Sequence, residues 1–269
     1  SIVTCRKPEE AKIINEEDVS FLYKFFHDLI ANSSMEGKIE KTAQELKEAL
    51  GEQRFKFKNV HSLPLPDFYS PITKSKTALI KSISKINQGY LALLGSPGSG
   101  KTSLITDVKK SLPPNTKVIS YYCHYMHDEP FKPSRGELSS FYHDLTKLID
   151  KELDKKPAFL HKENDIDALK KKLGEQLNLL INEFKEKNIK TIIFIDGLDH
   201  LERQDELKIM QSFLSELPRP NQLREGVVFV IGTQRLDLAK LNANIKTQIE
   251  GDKKRLILIS PLTRVETTT

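Results

Sequence analysis

The sequence predicts an α/β domain: a three-layer fold whose five-stranded, mostly parallel sheet carries helices on both faces, preceded by a helical segment. Three observations predict it. From Lys74 onward, short apolar β runs alternate with amphipathic helical stretches, the pattern of a parallel sheet buried on both sides. The first run, Tyr90-Leu91-Ala92-Leu93-Leu94, feeds a glycine-rich loop that opens a helix. A later run, Thr191 to Ile195, ends in Asp196, and open α/β sheets gather their chemistry at the carboxyl ends of strands.

Residues 1–60 read as a separate helical appendage. Val19, Leu22, Tyr23, Phe26, Leu29 and Ile30 recur at three- and four-residue spacing and mark one apolar helix face. Ile39, Ala43, Leu46 and Leu50 mark a second helix, closed by Gly51. Arg54 to Val60 alternates like a short edge strand, and Pro64, Pro66 and Pro71 punctuate the linker that follows. Such a linker can lie over a nucleotide base, with Phe68 and Tyr69 as its apolar wall; ordinary linker packing is the alternative.

The main domain is expected over residues 61–262. A helix over Leu79, Ile80, Ile83 and Ile86 leads to the first strand, Leu91 to Leu94. The next helix shows Leu104, Ile105, Val108 and Leu112 and stops at Pro113-Pro114. Strand two is Lys117 to Tyr122. Two helices follow, one over Leu138, Phe141, Leu145, Leu148 and Ile149, the other over Ile166, Leu169, Leu173, Leu177, Leu180 and Phe184. Strand three is Thr191 to Ile195. A helix over Leu207, Met210, Phe213 and Leu214 ends at Pro218, and strands four and five are Val227 to Ile231 and Arg255 to Ile259. The expected strand order is 5-1-4-3-2. Residues 263–269 read as the start of a further element. A chain that opens on Ser1 rather than Met reads as a piece of a longer protein.

Composition narrows the class. The 269 residues are 38% hydrophobic and 29% charged, with a net charge of +5 spread along the chain. A solvated, lysine-rich surface explains that excess better than a nucleic-acid groove, so nucleic acid is not an expected partner. Two distant cysteines, Cys5 and Cys123, imply no disulfide framework and fit a reducing, cytoplasmic setting. No apolar run reaches membrane-spanning length, and no signal-peptide pattern opens the chain.

The chemistry sits in three segments. Gly95, Ser96, Pro97, Gly98, Ser99, Gly100, Lys101, Thr102 and Ser103 form G-x-x-x-x-G-K-[ST] between a strand and a helix. The glycines let consecutive backbone N–H groups turn toward phosphate oxygens, and the helix N-terminus adds partial positive charge. Lys101 can reach the β- and γ-phosphates, and the Thr102 hydroxyl can ligate Mg²⁺. ATP or ADP with Mg²⁺ is therefore the expected ligand. Asp196 is the hard oxygen ligand that Mg²⁺ needs, the Walker B aspartate.

The residue after it is Gly197, where many P-loop ATPases place a water-activating glutamate. Asp199 is the nearest acid that can orient water, with His200 beside it as the other candidate. Strand four runs into Gly232-Thr233-Gln234-Arg235. Arg235 can neutralise γ-phosphate charge, or else pair with Asp237; Thr233 or Gln234 can orient water. Cys123, His124 and His127 lie close in sequence, but a zinc site needs about four ligands, so aromatic packing near the nucleotide face is the better reading. Arg135 reads as a helix-entry arginine.

Together, the phosphate loop, Ile195-Asp196-Gly197-Leu198-Asp199-His200-Leu201 and Gly232-Thr233-Gln234-Arg235 resemble the STAND class of P-loop NTPases, close to its NACHT-like branch. Ile259-Ser260-Pro261-Leu262-Thr263-Arg264-Val265-Glu266 resembles that class's entry into its lid region. The resemblance implies a nucleotide-gated switch that exchanges ADP for ATP on sensing an activating ligand, self-associates and activates an attached effector, in signalling or in antiviral and innate immune defence. It maps the Walker lysine, hydroxyl, aspartate and sensor arginine onto Lys101, Thr102, Asp196 and Arg235. His200 stands where an acid is usual in that class, a departure that bears on the hydrolysis rate. The alternatives are an AAA+-type motor acting on DNA or protein, and a scaffold that binds nucleotide without cleaving it.

Overall fold

The computed structural model describes residues 61–124, 135–155, 166–201 and 212–259. The chain divides into two units, Ser1–Glu52 and Gln53–Thr269, and all the described residues belong to the second. The helical pair and edge strand expected before residue 60, the residues from Ser260 onward, and Tyr125 to Ser134 lie outside them.

Within the second unit the elements run α1 (Thr73–Lys85), β1 (Gly89–Leu94), α2 (Lys101–Lys109), β2 (Thr116–Tyr122), α3 (Leu138–Glu152), α4 (Ile166–Lys187), β3 (Lys190–Asp196), β4 (Val227–Thr233), α5 (Ala243–Glu250) and β5 (Leu256–Leu258). The sheet order is β2-β3-β4-β1-β5, the expected 5-1-4-3-2, and all four pairings are parallel. β4 therefore lies between the strand that feeds the phosphate loop and the strand that ends in Asp196.

Alternation along each strand sorts the core into two layers, because successive side chains point to opposite faces. Tyr90, Ala92, Ile193, Ile195, Phe229 and Ile231 join one cluster with residues of α3, α4 and α5. Leu91, Leu93, Ile192, Phe194, Val228 and Val230 join the other with Leu79 and Ile83 of α1 and Leu104, Ile105 and Val108 of α2. Strands buried on both faces read as continuous apolar runs, which is why they are legible in the sequence.

Two elements differ from expectation. Phe213 and Leu214 lie in a short 3₁₀ turn, Phe213–Glu216, not in an α-helix running to Pro218; residues 202–211 of that expected helix lie outside the description. Ser212 caps the turn by accepting the Leu214 N–H, and Phe213 stacks on Phe141 with ring centroids 3.9 Å apart. Packing against α3, not helical periodicity, decides that segment. Helix α5 is the second difference. Its Ile245 and Ile249 are fully buried, but eight residues carry too few apolar positions to announce a helix.

Gly226 shows how tightly the sheet is closed at its other end. Its φ is +97°, and an added Cβ would overlap the Phe184 side chain of α4. Its N–H donates to the Asn87 carbonyl and its carbonyl accepts the Thr191 N–H, at 2.8 and 2.7 Å. Gly226→Ala is expected to destabilise the domain by about 3 kcal/mol, from backbone strain and overpacking together; urea unfolding of the variant measures it.

Candidate functional site

β1 delivers its last residue, Leu94, to a loop that must reverse and start a helix within six residues. Gly98 and Gly100 make that possible with φ of +73° and +85°. A Cβ on Gly98 would meet nothing, so backbone conformation alone calls for glycine there. At Gly95 space is the reason, because a Cβ would overlap Ser99 Oγ. Lys101 folds back over the loop, its Nζ donating to the carbonyls of Gly95 at 2.7 Å and Ser96 at 3.1 Å.

Thr102, one residue further into α2, donates its hydroxyl to Asp196 Oδ2 at 2.5 Å. Asp196 ends β3 in register with Tyr122 and Gly232. It is buried, and Gly232 makes room for it, since a Cβ there would overlap Asp196 Oδ1. That oxygen is itself buried and has no hydrogen-bond partner. An unpartnered carboxylate oxygen beside a threonine hydroxyl is a hard donor set for a small divalent cation. The residues thus fit Mg²⁺, which Thr102 and Asp196 would hold.

The carboxyl shows the strain of this arrangement. Burial raises the Asp196 pKa from 3.8 to about 6, against the lowering effects of the Thr102 hydrogen bond and the Lys101 charge.

Gly197 follows with φ of +84° and donates its N–H to the Gly232 carbonyl at 2.9 Å. This left-handed turn explains the glycine where a glutamate would stand: a side chain is disfavoured in that conformation. A helical turn then starts at Leu198 and brings Asp199 to the end of β4. Gln234 Nε2 donates to Asp199 Oδ2 at 2.5 Å, so the acid is buried and oriented by the strand between β1 and β3. His200 Nε2 lies 4.0 Å from the same oxygen. The His200 ring stacks on His124, with centroids 4.3 Å apart and planes 10° from parallel. His124 follows β2, so three strand ends contribute to this one corner.

The remaining candidates separate. Thr233 is fully buried and donates its hydroxyl to the Arg235 carbonyl at 3.1 Å. The Arg235 side chain is 59% exposed and pairs with Asp237 through Nε at 3.4 Å. In this conformation the arginine lies in its alternative, ion-paired arrangement. Cys123 is buried, its thiol pKa pushed up by burial and then by the charges of Asp196 and Asp199. Its N–H donates to the Asp196 carbonyl at 2.9 Å, and no metal cluster of His, Cys and carboxylates occurs among the described residues. Arg135 is buried at the entry to α3, where its carbonyl accepts the Tyr121 hydroxyl at 2.6 Å.

The linker contributes more than its sequence suggests. Pro66, Phe68, Tyr69, Ser70 and Ile72 face Gly98, Ser99, Gly100 and Ser103 across a cavity of about 190 Å³. Phe68 is 99% exposed. At the far end of the linker His61 is buried; its Nδ1 accepts the Tyr122 N–H at 3.1 Å, which leaves Nε2 as the donor to Asp144 at 3.2 Å. The sequence holds no signal for His61. Asp107 has one, an acid set between Ile105 and Val108 on an apolar helix face.

A phosphate loop with its lysine and hydroxyl, an acid at the end of the third strand and the 5-1-4-3-2 parallel sheet define a P-loop NTPase domain. The family described as Nephrocystin 3, N-terminal matches residues 74–228. That is more than half of the chain, and the chain belongs to this family. No curated protein matches the sequence. Among solved structures, the chain is similar to the Drosophila ORC bound to DNA, at 18% identity and a TM-score of 0.39, over 85% of this chain and 51% of that one. It is similar to the Aeropyrum pernix ORC1 protein in complex with DNA, at 18% identity and 0.44, over 80% and 50%. A Walker-type ATPase of Pyrococcus abyssi shares 12% identity at 0.40, over 79% and 59%. The chain thus spans about half the length of the first two. No helix among the described residues is long and apolar enough to cross a membrane.

The buried Asp196 makes a signed prediction. A proton binds more tightly to the folded chain than to the unfolded one, so stability falls as pH rises from about 4 to about 6 and stays low above that, a loss of about 3 kcal/mol. Asp196→Asn removes the charge. Without nucleotide, this variant is expected to melt at a higher temperature than wild type at pH 7.5, and the gap is expected to close toward pH 4. Thermal unfolding across that pH range checks it.

Proposed function

We propose that this domain binds ATP with Mg²⁺ and hydrolyses it slowly, and that its nucleotide state governs self-association in a STAND-like, NACHT-like signalling or defence switch. The observation that carries this reading is the pairing of a complete phosphate and metal grip with a muted water-activating corner. In this reading Lys101 leaves the Gly95 and Ser96 carbonyls for the phosphates, the loop N–H groups and Thr102 join it there, and Asp196 and Thr102 take the metal. Mg²⁺, when bound, offsets charge on the β- and γ-phosphates. Gly197 leaves no carboxylate directly after Asp196. The nearest acid, Asp199, is already engaged by Gln234.

In this reading Asp199 accepts a proton from water as the water oxygen attacks the γ-phosphorus. The bond from that phosphorus to the β–γ bridging oxygen breaks, ADP leaves with the electron pair and inorganic phosphate forms, while Gln234 keeps the carboxylate aimed. One Asp199 oxygen is already taken by Gln234, which leaves the acid fewer ways to reach an attacking water and favours slow turnover. His200, buttressed by His124, is the second candidate for holding that water. Arg235 reaches the γ-phosphate only by leaving Asp237, an exposed pair that holds it weakly. Such a rearrangement suits a residue that reports nucleotide state. The linker wall of Phe68 and Tyr69 supplies an apolar surface for the base.

Phosphate release and nucleotide affinity, measured on purified protein, test the reading. Lys101→Ala is expected to weaken ATP binding at least tenfold, through the loss of a charged contact. Asp199→Ala is expected to keep ATP affinity within about twofold and to slow hydrolysis about 10²-fold, the usual contribution of a general base. Unchanged turnover in Asp199→Ala would sink the assignment of the base. No phosphate release by wild type over hours would favour a non-hydrolysing scaffold. Fast turnover stimulated by DNA or by a protein substrate would mark a motor instead.

A further inference from the structure

One carboxylate holds the linker, the helix after it and the phosphate-loop helix together. Asp107 lies on α2, six residues beyond Lys101, and is only 9% exposed. Its Oδ2 accepts the Tyr69 hydroxyl at 3.1 Å, and its Oδ1 accepts Lys76 Nζ of α1 at 2.8 Å. Both oxygens are used, and each reaches a different element. The Tyr69 hydroxyl responds to this setting, its pKa pushed up to about 12 by burial and by Asp107.

The consequence lies on the other side of the tyrosine. Tyr69 and Phe68 wall the cavity opposite Gly98–Ser103. Tyr69 closes a tight turn by donating its N–H to the Pro66 carbonyl at 3.1 Å. Three residues later Ile72 meets the phosphate loop itself, where a Cβ on Gly100 would come within 3.1 Å of Ile72 Cδ1. The linker is thus fastened on both sides of the cavity, and Asp107 is the charged member of that fastening. Among the described residues no carboxylate lines the cavity, so the wall offers an aromatic and aliphatic surface to an uncharged planar ring.

We propose that Asp107 is a positioning residue for the nucleotide base: it touches no ligand, but it sets Tyr69 and the linker against the phosphate loop so that the base wall is preformed. Preformed walls raise affinity by removing the ordering that binding would otherwise require. The proposal rests on the reading that this cavity takes the base. It separates Asp107 from Lys101 and Thr102, which act on phosphates.

The test compares ATP with inorganic tripolyphosphate, which has the phosphates and no base. Dissociation constants for both, with Mg²⁺, are measured on the 269-residue chain for wild type, Asp107→Asn and Tyr69→Phe. Tyr69→Phe keeps the ring and removes only the hydroxyl, so it guards against a variant that fails to fold. Both variants are expected to weaken ATP about tenfold, the scale of one hydrogen bond to a charged group, with tripolyphosphate affinity held within twofold. Asp107→Asn is expected to lose more than Tyr69→Phe, because it also releases Lys76. Equal weakening of ATP and tripolyphosphate would assign Asp107 to the phosphate loop and overturn the proposal. Unchanged ATP affinity in both variants, with wild type preferring ATP to tripolyphosphate, would overturn it while leaving the base cavity standing. Wild type binding the two probes equally would remove the base cavity and the proposal with it.

Discussion

A carboxylate held inside a parallel sheet, with one oxygen satisfied and the other empty-handed, is the constraint around which this domain is arranged. Asp196 lies between Tyr122 and Gly232 in the sheet register and takes the Thr102 hydroxyl. Burial of an ionised group is costly unless it is paired. Here the Thr102 hydroxyl pairs with one oxygen, and burial still pushes the carboxyl pKa up. The neighbouring residues accommodate the acid at their own expense: Gly232 gives up a side chain for space, and Gly197 gives one up for backbone direction.

The all-parallel sheet makes this concentration of groups possible. All five strands point their carboxyl ends the same way, so the phosphate loop after β1, Asp196 at the end of β3, Gln234 after β4 and His124 after β2 face one edge of the sheet. Inserting β4 between β1 and β3 opens a gap between the loop and Asp196 wide enough for Thr102 to bridge from α2. It also places Gln234 beside Asp199. The site is therefore built from residues far apart in sequence but one strand apart in space.

The linker is pinned to the domain at two points. His61 fixes it to the end of β2 and to α3, and Tyr69 fixes it to α2. Those contacts join the linker to β2, to α3 and to the helix that follows the glycine-rich loop.

The sequence by itself determined the strands of the sheet and the glycine-rich loop between the first strand and its helix. Doubly buried strands need unbroken apolar runs, and the turns of the loop need glycine before a lysine and a hydroxyl; such requirements are local and leave a pattern. Helix α5 and the 3₁₀ turn at Phe213 left none, because eight and four residues are too short to show a period and take their form from what they pack on. Tertiary structure alone decided who partners whom. It gave Asp199 to Gln234, stacked His124 on His200 and brought Tyr69 and Lys76 to one carboxylate of α2. Each of these joins residues from different elements, and distance in space between such groups is fixed by packing, which no spacing along the chain encodes.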